Sequence, residues 1–175
     1  MNDIILVKPA PEHEVAAVEF VAEFPPEKSI HGSYGIKRAE TYSEWLDIIN
    51  RPTRKYDNSP ETYVPATTFF GVRESDGRII GILDVRHELS GGLIKYVGNV
   101  GYSVRPTERK KGYATVMLKL ALDYCLELGL IRALITCNKE NIASARVIVK
   151  NGGLLENEIP EEGKDKIIQR YWIAL

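Results

Sequence analysis

Three strand-like segments follow one another in the middle of the sequence, and this run constrains the fold more than any other feature. Thr67 to Arg73 is rich in β-branched and aromatic residues. Asp76-Gly77 is a strong hairpin signal, and Arg78 to His87 forms the returning strand. After a turn at Ser90-Gly91-Gly92, a third strand is predicted from Leu93 to Val104, interrupted by two glycines. Strands joined by such short turns pair antiparallel.

Helical and strand patterns alternate after this run. The segment from Gly112 to Leu128 places its apolar residues on one face at helical spacing. An apolar strand, Ile131 to Thr136, separates it from a second helix over Ile142 to Lys150, with Asn141 as its N-cap. A closing strand is predicted from Ile167 to Ala174.

The N-terminal third is less regular. A short strand, Ile4 to Val7, precedes a helix from Pro11 to Ala22, and a short helix follows over Ser43 to Asn50. Arg51 to Pro65 contains three prolines and is interpreted as irregular. The element order predicts an α+β (mixed α/β) fold with helices on both faces of one sheet. The length of 175 residues fits a single domain, 1–175.

Net charge, apolar patterning and cysteine spacing argue against several classes of protein. The formal net charge is −1, which argues against a nucleic-acid-binding protein and gives no reason to expect a membrane surface as partner. The N-terminus lacks the pattern of a signal peptide, and no apolar run is long enough to span a membrane. The two cysteines, Cys125 and Cys137, have no metal-binding spacing, so we expect a reduced, cytoplasmic protein without a metal site.

The segment from Val104 to Thr115 carries the most chemical information. A strand ends at Val104, and a basic turn, Arg109-Lys110-Lys111, leads into the helix that opens at Gly112. The first N–H groups of a helix have no partners within it and lie at the positive end of its dipole, which favours anions. Gly112 and Ala114 leave room for a phosphate. The segment therefore predicts a pyrophosphate pocket, although similar turns also occur in proteins that bind nothing.

The run Arg109-Lys-Lys-Gly112-Tyr-Ala114 resembles the R/Q-x-x-G-x-G/A acyl-CoA signature of the GNAT superfamily of acetyltransferases. Downstream, Asn141-Ile-Ala-Ser144 and Lys150-Asn-Gly-Gly153 are similar to the family's second motif, which reads N-x-x-A/S, then Tyr, then K-x-G-F. The resemblance covers roughly Arg78 to Leu155. It implies a GNAT-like acyl-CoA N-acyltransferase fold, whose central, mostly antiparallel sheet is splayed.

The resemblance also implies that the splay holds acetyl-CoA as a co-substrate. The pantetheine arm would pair with the strand that ends at Val104. Asn141 is also explained as a plain helix cap, and Ser144 as a solvated helix residue. Residues 66–175 would form the acetyl-CoA-binding part and residues 1–65 a variable acceptor side. The implied cofactor-binding residues are Val104, Arg109, Lys110, Lys111, Gly112, Tyr113, Ala114, Thr115, Asn138, Asn141 and Ser144.

Direct attack of a primary amine on a thioester needs an oxyanion donor and a group that stabilises the leaving thiolate. The predicted oxyanion donor is a main-chain N–H near Tyr102, beside Gly101. Many relatives use a Tyr of the second motif as general acid, but the matching residue here is Ile148. A water, Tyr102 or Tyr171 could replace it.

The candidate bases are His87, because an imidazole titrates near neutral pH, and Glu88, which could act through water. A dedicated base is not obligatory, because proximity alone supplies much of the rate in a direct transfer. The alternative is that His87 only hydrogen-bonds the following turn. Cys137 is interpreted as a small apolar residue and not as a nucleophile. Residues of the N-terminal loops could line the acceptor side: His31, Tyr34, Tyr42 and Trp45, of which Trp45 better fits a core position.

The expected function is transfer of an acetyl group to a primary amine of a small molecule or peptide. One alternative is a non-catalytic acyl-CoA-binding or regulatory domain, which the Ile148 position favours. Another is transfer of a different acyl group, such as succinyl, for which Arg86 is the candidate. The C-terminal strand ending Tyr171-Trp-Ile-Ala-Leu175 either pairs across a homodimer or completes the sheet.

Overall fold

Nine strands and four α-helices make up the part of the chain that the computed structural model describes, residues 3–56 and 63–175. The helices are α1 (Glu14–Ala22), α2 (Tyr42–Ile49), α3 (Tyr113–Glu127) and α4 (Ile142–Lys150). The strands are β1 (Ile4–Val7), β2 (Arg54–Lys55), β3 (Tyr63–Val64), β4 (Ala66–Arg73), β5 (Ile79–Arg86), β6 (Val100–Val104), β7 (Arg132–Asn138), β8 (Leu154–Pro160) and β9 (Ile167–Ala174). None of these helices is long and apolar enough to cross a membrane.

The strands form two principal sheets that are splayed apart. The first sheet has the order β1-β4-β5-β6 and the second the order β7-β9-β8, and all their pairings are antiparallel. The sheets are joined at Asn99, whose N–H donates to the Leu134 carbonyl at 2.6 Å. The side chain of Asn99 also accepts from Leu134 N–H at 2.9 Å. Beyond this junction β6 and β7 share no ladder, so the predicted splayed sheet is confirmed.

Helices cover both faces of the first sheet, as predicted. On one face, Met117, Leu118 and Ala121 of α3 are fully buried against the sheet. On the other face, Phe20 of α1 and Trp45 of α2 are fully buried in a second cluster. Burial of each large apolar side chain contributes about 1.5–3 kcal/mol, so these two layers hold the helices to the sheet.

The predicted third strand, Leu93 to Val104, is wrong in its first half. Leu93–Val97 forms a π-helical turn, and only Val100–Val104 is a strand. The turn ends at Gly98, which has φ of +75°. A Cβ there would lie 2.4 Å from the Leu134 carbonyl oxygen, so only glycine lets the chain approach the second sheet this closely.

The structure contains one strand that the sequence did not predict, and it decides how the C-terminal strand pairs. Leu154–Pro160 forms β8, an edge strand that is mostly exposed and lacks the alternation that indicates a half-buried strand. Ile167–Ala174 lies between β7 and β8, so the C-terminal strand completes the sheet of its own chain. The stretch expected to be irregular contains the short β2–β3 pair, and its residues 57–62 lie outside the described ones.

We expect Gly81→Ala to destabilise the protein by about 1–3 kcal/mol, because extra volume in a packed core forces atoms apart. A Cβ on Gly81 would lie 2.6 Å from both Met117 Cε and the Ser103 carbonyl oxygen. The matched control is Gly71→Ala, opposite Gly81 in the ladder, where the Cβ meets only the flexible Met117 side chain at 3.0 Å or more. Denaturant unfolding measures both, and an equal loss of stability in the two variants would contradict this packing.

Candidate active site

A cavity of about 840 Å³ lies at the gap between the sheets. Its walls come from β6, the basic turn, the start of α3, one side of α4 and the loop after α1. The structure thus brings together segments that are far apart in the sequence. The sequence-predicted residues that line it are Tyr102, Val104, Arg109, Lys110, Gly112, Tyr113, Ala114, Thr115, Asn141 and Ser144.

The backbone of β6 directs unpaired groups into this gap. Arg86 N–H donates to the Asn99 carbonyl, and Arg105 N–H donates to the carbonyl of Ile80, each at 2.8 Å. Hydrogen-bonded and non-hydrogen-bonded pairs alternate along an antiparallel ladder, so Tyr102 falls in a non-hydrogen-bonded pair. Its N–H therefore points away from β5, toward the gap.

The basic turn presents the start of α3 to the cavity. Gly112 is the N-cap, with φ of +88°. A Cβ on Gly112 would meet no protein atom within 4 Å, so the glycine serves the left-handed backbone while its surroundings stay open toward a ligand. The N–H groups of Tyr113 and Ala114 precede the first intrahelical bond, which Thr115 N–H makes to the Gly112 carbonyl at 3.0 Å. The arrangement is suited to an anion.

Lys111 does not line this cavity. Its ammonium lies 2.8 Å from Glu108, whose side chain is only 4% exposed. The hydrogen bond from Lys111, with the nearby guanidinium groups of Arg73 and Arg78, holds the pKa of Glu108 below its ordinary value. Lys111 therefore ties the basic turn to Glu108. Lys110 borders the cavity and has a left-handed backbone with φ of +65°.

Three further cations border the cavity and were missed from the sequence. Arg146 and Lys150 lie on α4, and Lys28 belongs to the loop after α1. Lys150 begins the Lys150-Asn-Gly-Gly153 run of the second motif, and Arg146, four residues earlier, shares its helix face. Arg109 is partly structural, because its Nε donates to the Val104 carbonyl at 3.2 Å.

A pair of hydroxyl groups closes the inner end of the gap. Tyr102 Oη lies 2.9 Å from Ser144 Oγ, which links β6 to α4. Burial raises the pKa of Tyr102 to about 12, so its hydroxyl stays protonated at neutral pH. Ile148, one turn further along α4, is fully buried in the core. The phenol in this region thus comes from β6 and not from α4.

Other predicted residues have plainer roles. Asn141 borders the cavity and also caps α4, accepting a hydrogen bond from Ser144 N–H at 3.1 Å. Asn138 accepts from Glu140 N–H at 3.1 Å as a turn residue and does not line the cavity. The hydroxyl of Tyr171 donates to Gln169 and also lies outside it.

His87 and Glu88 line neither this cavity nor the one described next. His87 Nε2 lies 2.9 Å from Thr67 Oγ1, which in turn lies 3.0 Å from the hydroxyl of Tyr124. Tyr124 is eleven residues along α3 from Tyr113, or roughly 16 Å at 1.5 Å per residue. The structure therefore places His87 far along α3 from the basic turn, with its Nε2 in hydrogen-bond contact with Thr67.

A second cavity, of about 510 Å³, adjoins the first and shares Ser29 and His31 with it. The loop that carries His31 packs closely against β6. A Cβ on Gly32 would lie only 2.3 Å from the Gly101 carbonyl oxygen. Burial, together with the charge of Lys166, lowers the pKa of His31 below its ordinary value. Its imidazole makes no hydrogen bond to another described residue. Tyr34 lines this cavity, whereas Tyr42 and Trp45 belong to the core.

Comparison with known proteins identifies the arrangement. A family model described as an acetyltransferase (GNAT) domain matches residues 4–153. No curated protein matches the sequence. Among solved structures, a spermidine N-acetyltransferase from Vibrio cholerae in complex with CoA and spermine is 16% identical, with a TM-score of 0.66 over 99% of this chain and 96% of the other.

Two more structures share the fold. A GNAT-family acetyltransferase from Streptococcus pneumoniae is 16% identical, with a TM-score of 0.65 over 98% of this chain and 99% of the other. A GNAT-family acetyltransferase from Bacillus anthracis is 19% identical, with a TM-score of 0.62 over 98% of this chain and 95% of the other.

Lys110 and Lys111 provide a matched pair for testing the anion site. We expect Lys110→Gln to weaken the binding of coenzyme A roughly two- to fivefold, the worth of one exposed charge, with a smaller effect at high salt. Lys111→Gln changes the affinity less, because that ammonium is turned toward Glu108. Calorimetric titration of coenzyme A measures both. A larger loss of affinity in Lys111→Gln than in Lys110→Gln would contradict this position of the anion site.

Proposed function

Because the chain belongs to the GNAT acetyltransferase family, we propose that it transfers the acetyl group of acetyl-CoA to a primary amine by direct attack. The observation that carries the proposal is the cavity at the splay, where the unpaired N–H of Tyr102 faces the same space as the phosphate-binding turn. A thioester between these two features would have its reacting carbonyl at the backbone of β6.

The cofactor is proposed to lie along β6 with its pyrophosphate on the start of α3. The free N–H groups of Tyr113 and Ala114 would bind the phosphate oxygens, with Lys110 adding charge. Arg146 and Lys150 extend the basic lining along α4, where the remaining phosphate of CoA could bind. The backbone of Val104 would pair with the pantetheine amides.

The N–H of Tyr102 is proposed as the oxyanion donor. As the amine nitrogen bonds to the acyl carbon, negative charge develops on the carbonyl oxygen, and a preorganised donor stabilises that charge. A backbone N–H fixed by the β5–β6 ladder needs no reorganisation at that moment. When the tetrahedral intermediate collapses, the C–S bond breaks and the electron pair leaves with sulfur.

The hydroxyl of Tyr102 is proposed to donate a hydrogen bond to the departing thiolate. It supplies from β6 the group that the family motif would place at Ile148, one turn beyond the partner hydroxyl of Ser144. A pKa of about 12 keeps the phenol protonated and therefore available as a donor. This arrangement supports turnover and weighs against the alternative of a non-catalytic acyl-CoA-binding domain.

His31 is proposed as the group that accepts the proton of the attacking amine. It borders both cavities, and its lowered pKa leaves the imidazole neutral at pH 7, as a base requires. His87, the candidate from the sequence, is held by Thr67 away from both cavities. Residues 1–65 thus contribute the base as well as the acceptor side.

Two expectations from the sequence stay predictions. Cys125 and Cys137 are both free and buried, which agrees with a reducing compartment such as the cytoplasm. A homodimer is not required by the C-terminal strand, which pairs within its own chain.

The proposed function is tested by thiol release from acetyl-CoA against a panel of amines and peptides, beside calorimetric titration of acetyl-CoA. We expect binding and amine-dependent release of CoA. Binding without release on any acceptor would favour the non-catalytic alternative, and absence of binding would overturn the proposal.

The hydroxyl of Tyr102 can be removed without removing its ring. We expect Tyr102→Phe to lower kcat roughly 10- to 100-fold, the lower range for a lost proton donor, while acetyl-CoA binding is retained. Tyr171→Phe is the matched control, since that hydroxyl is bonded to Gln169 outside the cavity, and its kcat should stay near the unmodified value. Steady-state thiol release measures both, and equal effects would assign the role to neither.

The pH dependence of kcat tests His31. A base must be unprotonated, so kcat should fall as the pH drops through the pKa of His31, which lies below the ordinary value of 6.5. His31→Gln should lower kcat about 10- to 100-fold and remove this acid limb. His87→Gln is the control and should keep the limb; its loss there, with an unchanged limb in His31→Gln, would restore His87 as the base.

A further inference from the structure

The second cavity is lined by more cations than anions. Among the described residues that border it, Lys37, Arg38, Lys55 and Arg86 are basic, while Glu44 and Asp84 are acidic. Through His31 and Ser29 it opens toward the β6 backbone, where the acyl carbon is proposed to lie. The charge of this cavity therefore acts on whatever molecule brings the amine.

Both carboxylates of the cavity are already engaged. Glu44 accepts a hydrogen bond from the N–H of Glu40 at 2.7 Å, at the start of α2. Asp84 accepts from Arg54 at 2.6 Å and from Thr68 at 2.8 Å through one oxygen. Its other oxygen accepts from the hydroxyl of Tyr56 at 2.5 Å. Asp84 is buried and both of its oxygens are bonded, so its carboxylate is closed to an ammonium group from outside.

Two buried guanidinium groups share the single carboxylate of Asp84. Arg54 is 2% exposed and Arg86 is 4% exposed. Arg86 is the looser partner, because its Nη1 lies 3.4 Å from Asp84 while its Nε donates to the Gly98 carbonyl at 2.6 Å. A second buried cation beside one carboxylate leaves positive potential at the cavity wall, which a bound anion would relieve.

Within the described ranges, two exposed cations at the same cavity have no carboxylate partner. Arg38 forms no ion pair with any described residue, and Lys55 has its ammonium over the ring of Tyr63 at 5.8 Å. Lys37, in contrast, is held by three carbonyl groups of the loop after α1. Arg38 and Lys55 are therefore the groups most available to a ligand.

We propose that the second cavity binds an acceptor amine that also carries a carboxylate, as a free amino acid does. The carboxylate lies toward Arg38, Lys55 and the face of Arg86, and the amine reaches past His31 to the β6 backbone. This inference rests on the proposed acetyl transfer to an amine. The surrounding cations also favour the neutral amine, the form that attacks the thioester.

A polyamine fits this cavity poorly. It would bring two or more ammonium groups to a wall where positive charge already exceeds negative charge, and the buried carboxylate of Asp84 is already bonded within the chain. The positive lining repels the ammonium groups of a polyamine. The same lining that attracts a carboxylate therefore disfavours a cationic acceptor.

The test compares matched acceptors on the full chain. Several α-amino acids are paired with their own carboxamides, and spermidine serves as the cationic comparison. Binding to the CoA-loaded protein is measured by calorimetry, and turnover by thiol release. We expect each amino acid to surpass its amide by about tenfold or more in affinity and in kcat/KM, the worth of a hydrogen-bonded charge. The preference should shrink as salt is raised.

Charge-removing variants locate the effect. The double variant Arg38→Gln with Lys55→Gln should raise KM for the amino acid roughly three- to tenfold and leave KM for its amide unchanged. Lys119→Gln, which removes a charge paired with Asp123 on the exposed side of α3, is the control and should change neither. The side chains of Arg38 and Lys55 are both exposed, so we expect the double variant to keep the fold.

The outcomes separate the two proposals. Failure of acetyl-CoA to bind would overturn the acetyl transfer itself. Normal acetyl-CoA binding with equal affinity for amino acid and amide, or better turnover of spermidine, would overturn the carboxylate-bearing acceptor and leave the acetyl transfer standing. An equal rise of KM for the acid and its amide in the double variant would also overturn it.

Discussion

The junction at Asn99 is the constraint on which the rest of the structure depends. Its main chain and its side chain both bond to Leu134, beside an isolated bridge between Gly98 and Ile135. Past that point the strands separate, and β6 keeps backbone groups that no strand satisfies. Such groups are costly when buried, so the structure retains them where a ligand can pair with them. The splay thus leaves a gap with free backbone groups, and this gap is where we propose that acetyl-CoA binds.

Packing on either side of the gap sets its width. Met117 of α3 rests on Gly71 and Gly81, which face each other across β4 and β5. The absence of side chains there lets the helix lie close to the sheet and brings its N-terminus to the end of β6. On the other side, the contact between Tyr102 and Ser144 holds α4 to β6. These two contacts set the distance between the basic turn and the backbone of β6.

Each of the two neighbouring cavities has its own set of charged lining residues. The larger one gathers cations from the basic turn, α4 and the loop after α1, and the smaller one gathers them around Asp84. His31 borders both cavities, and burial of its imidazole lowers its pKa below the ordinary value. A near-neutral chain with a net charge of −1 therefore concentrates positive charge locally, which total composition does not reveal.

The sequence by itself determined the elements whose signals are local: the hairpin at Asp76-Gly77, the glycine that opens α3, and α4 at its observed bounds Ile142–Lys150. Most of the residues predicted for the cofactor line one cavity, because turn and helix start are contiguous in the chain. Only the tertiary structure decided where His31 and His87 lie and that Lys111 turns toward Glu108. The reason is physical: local propensity fixes a backbone segment, whereas the partner of a side chain depends on packing between segments distant in sequence.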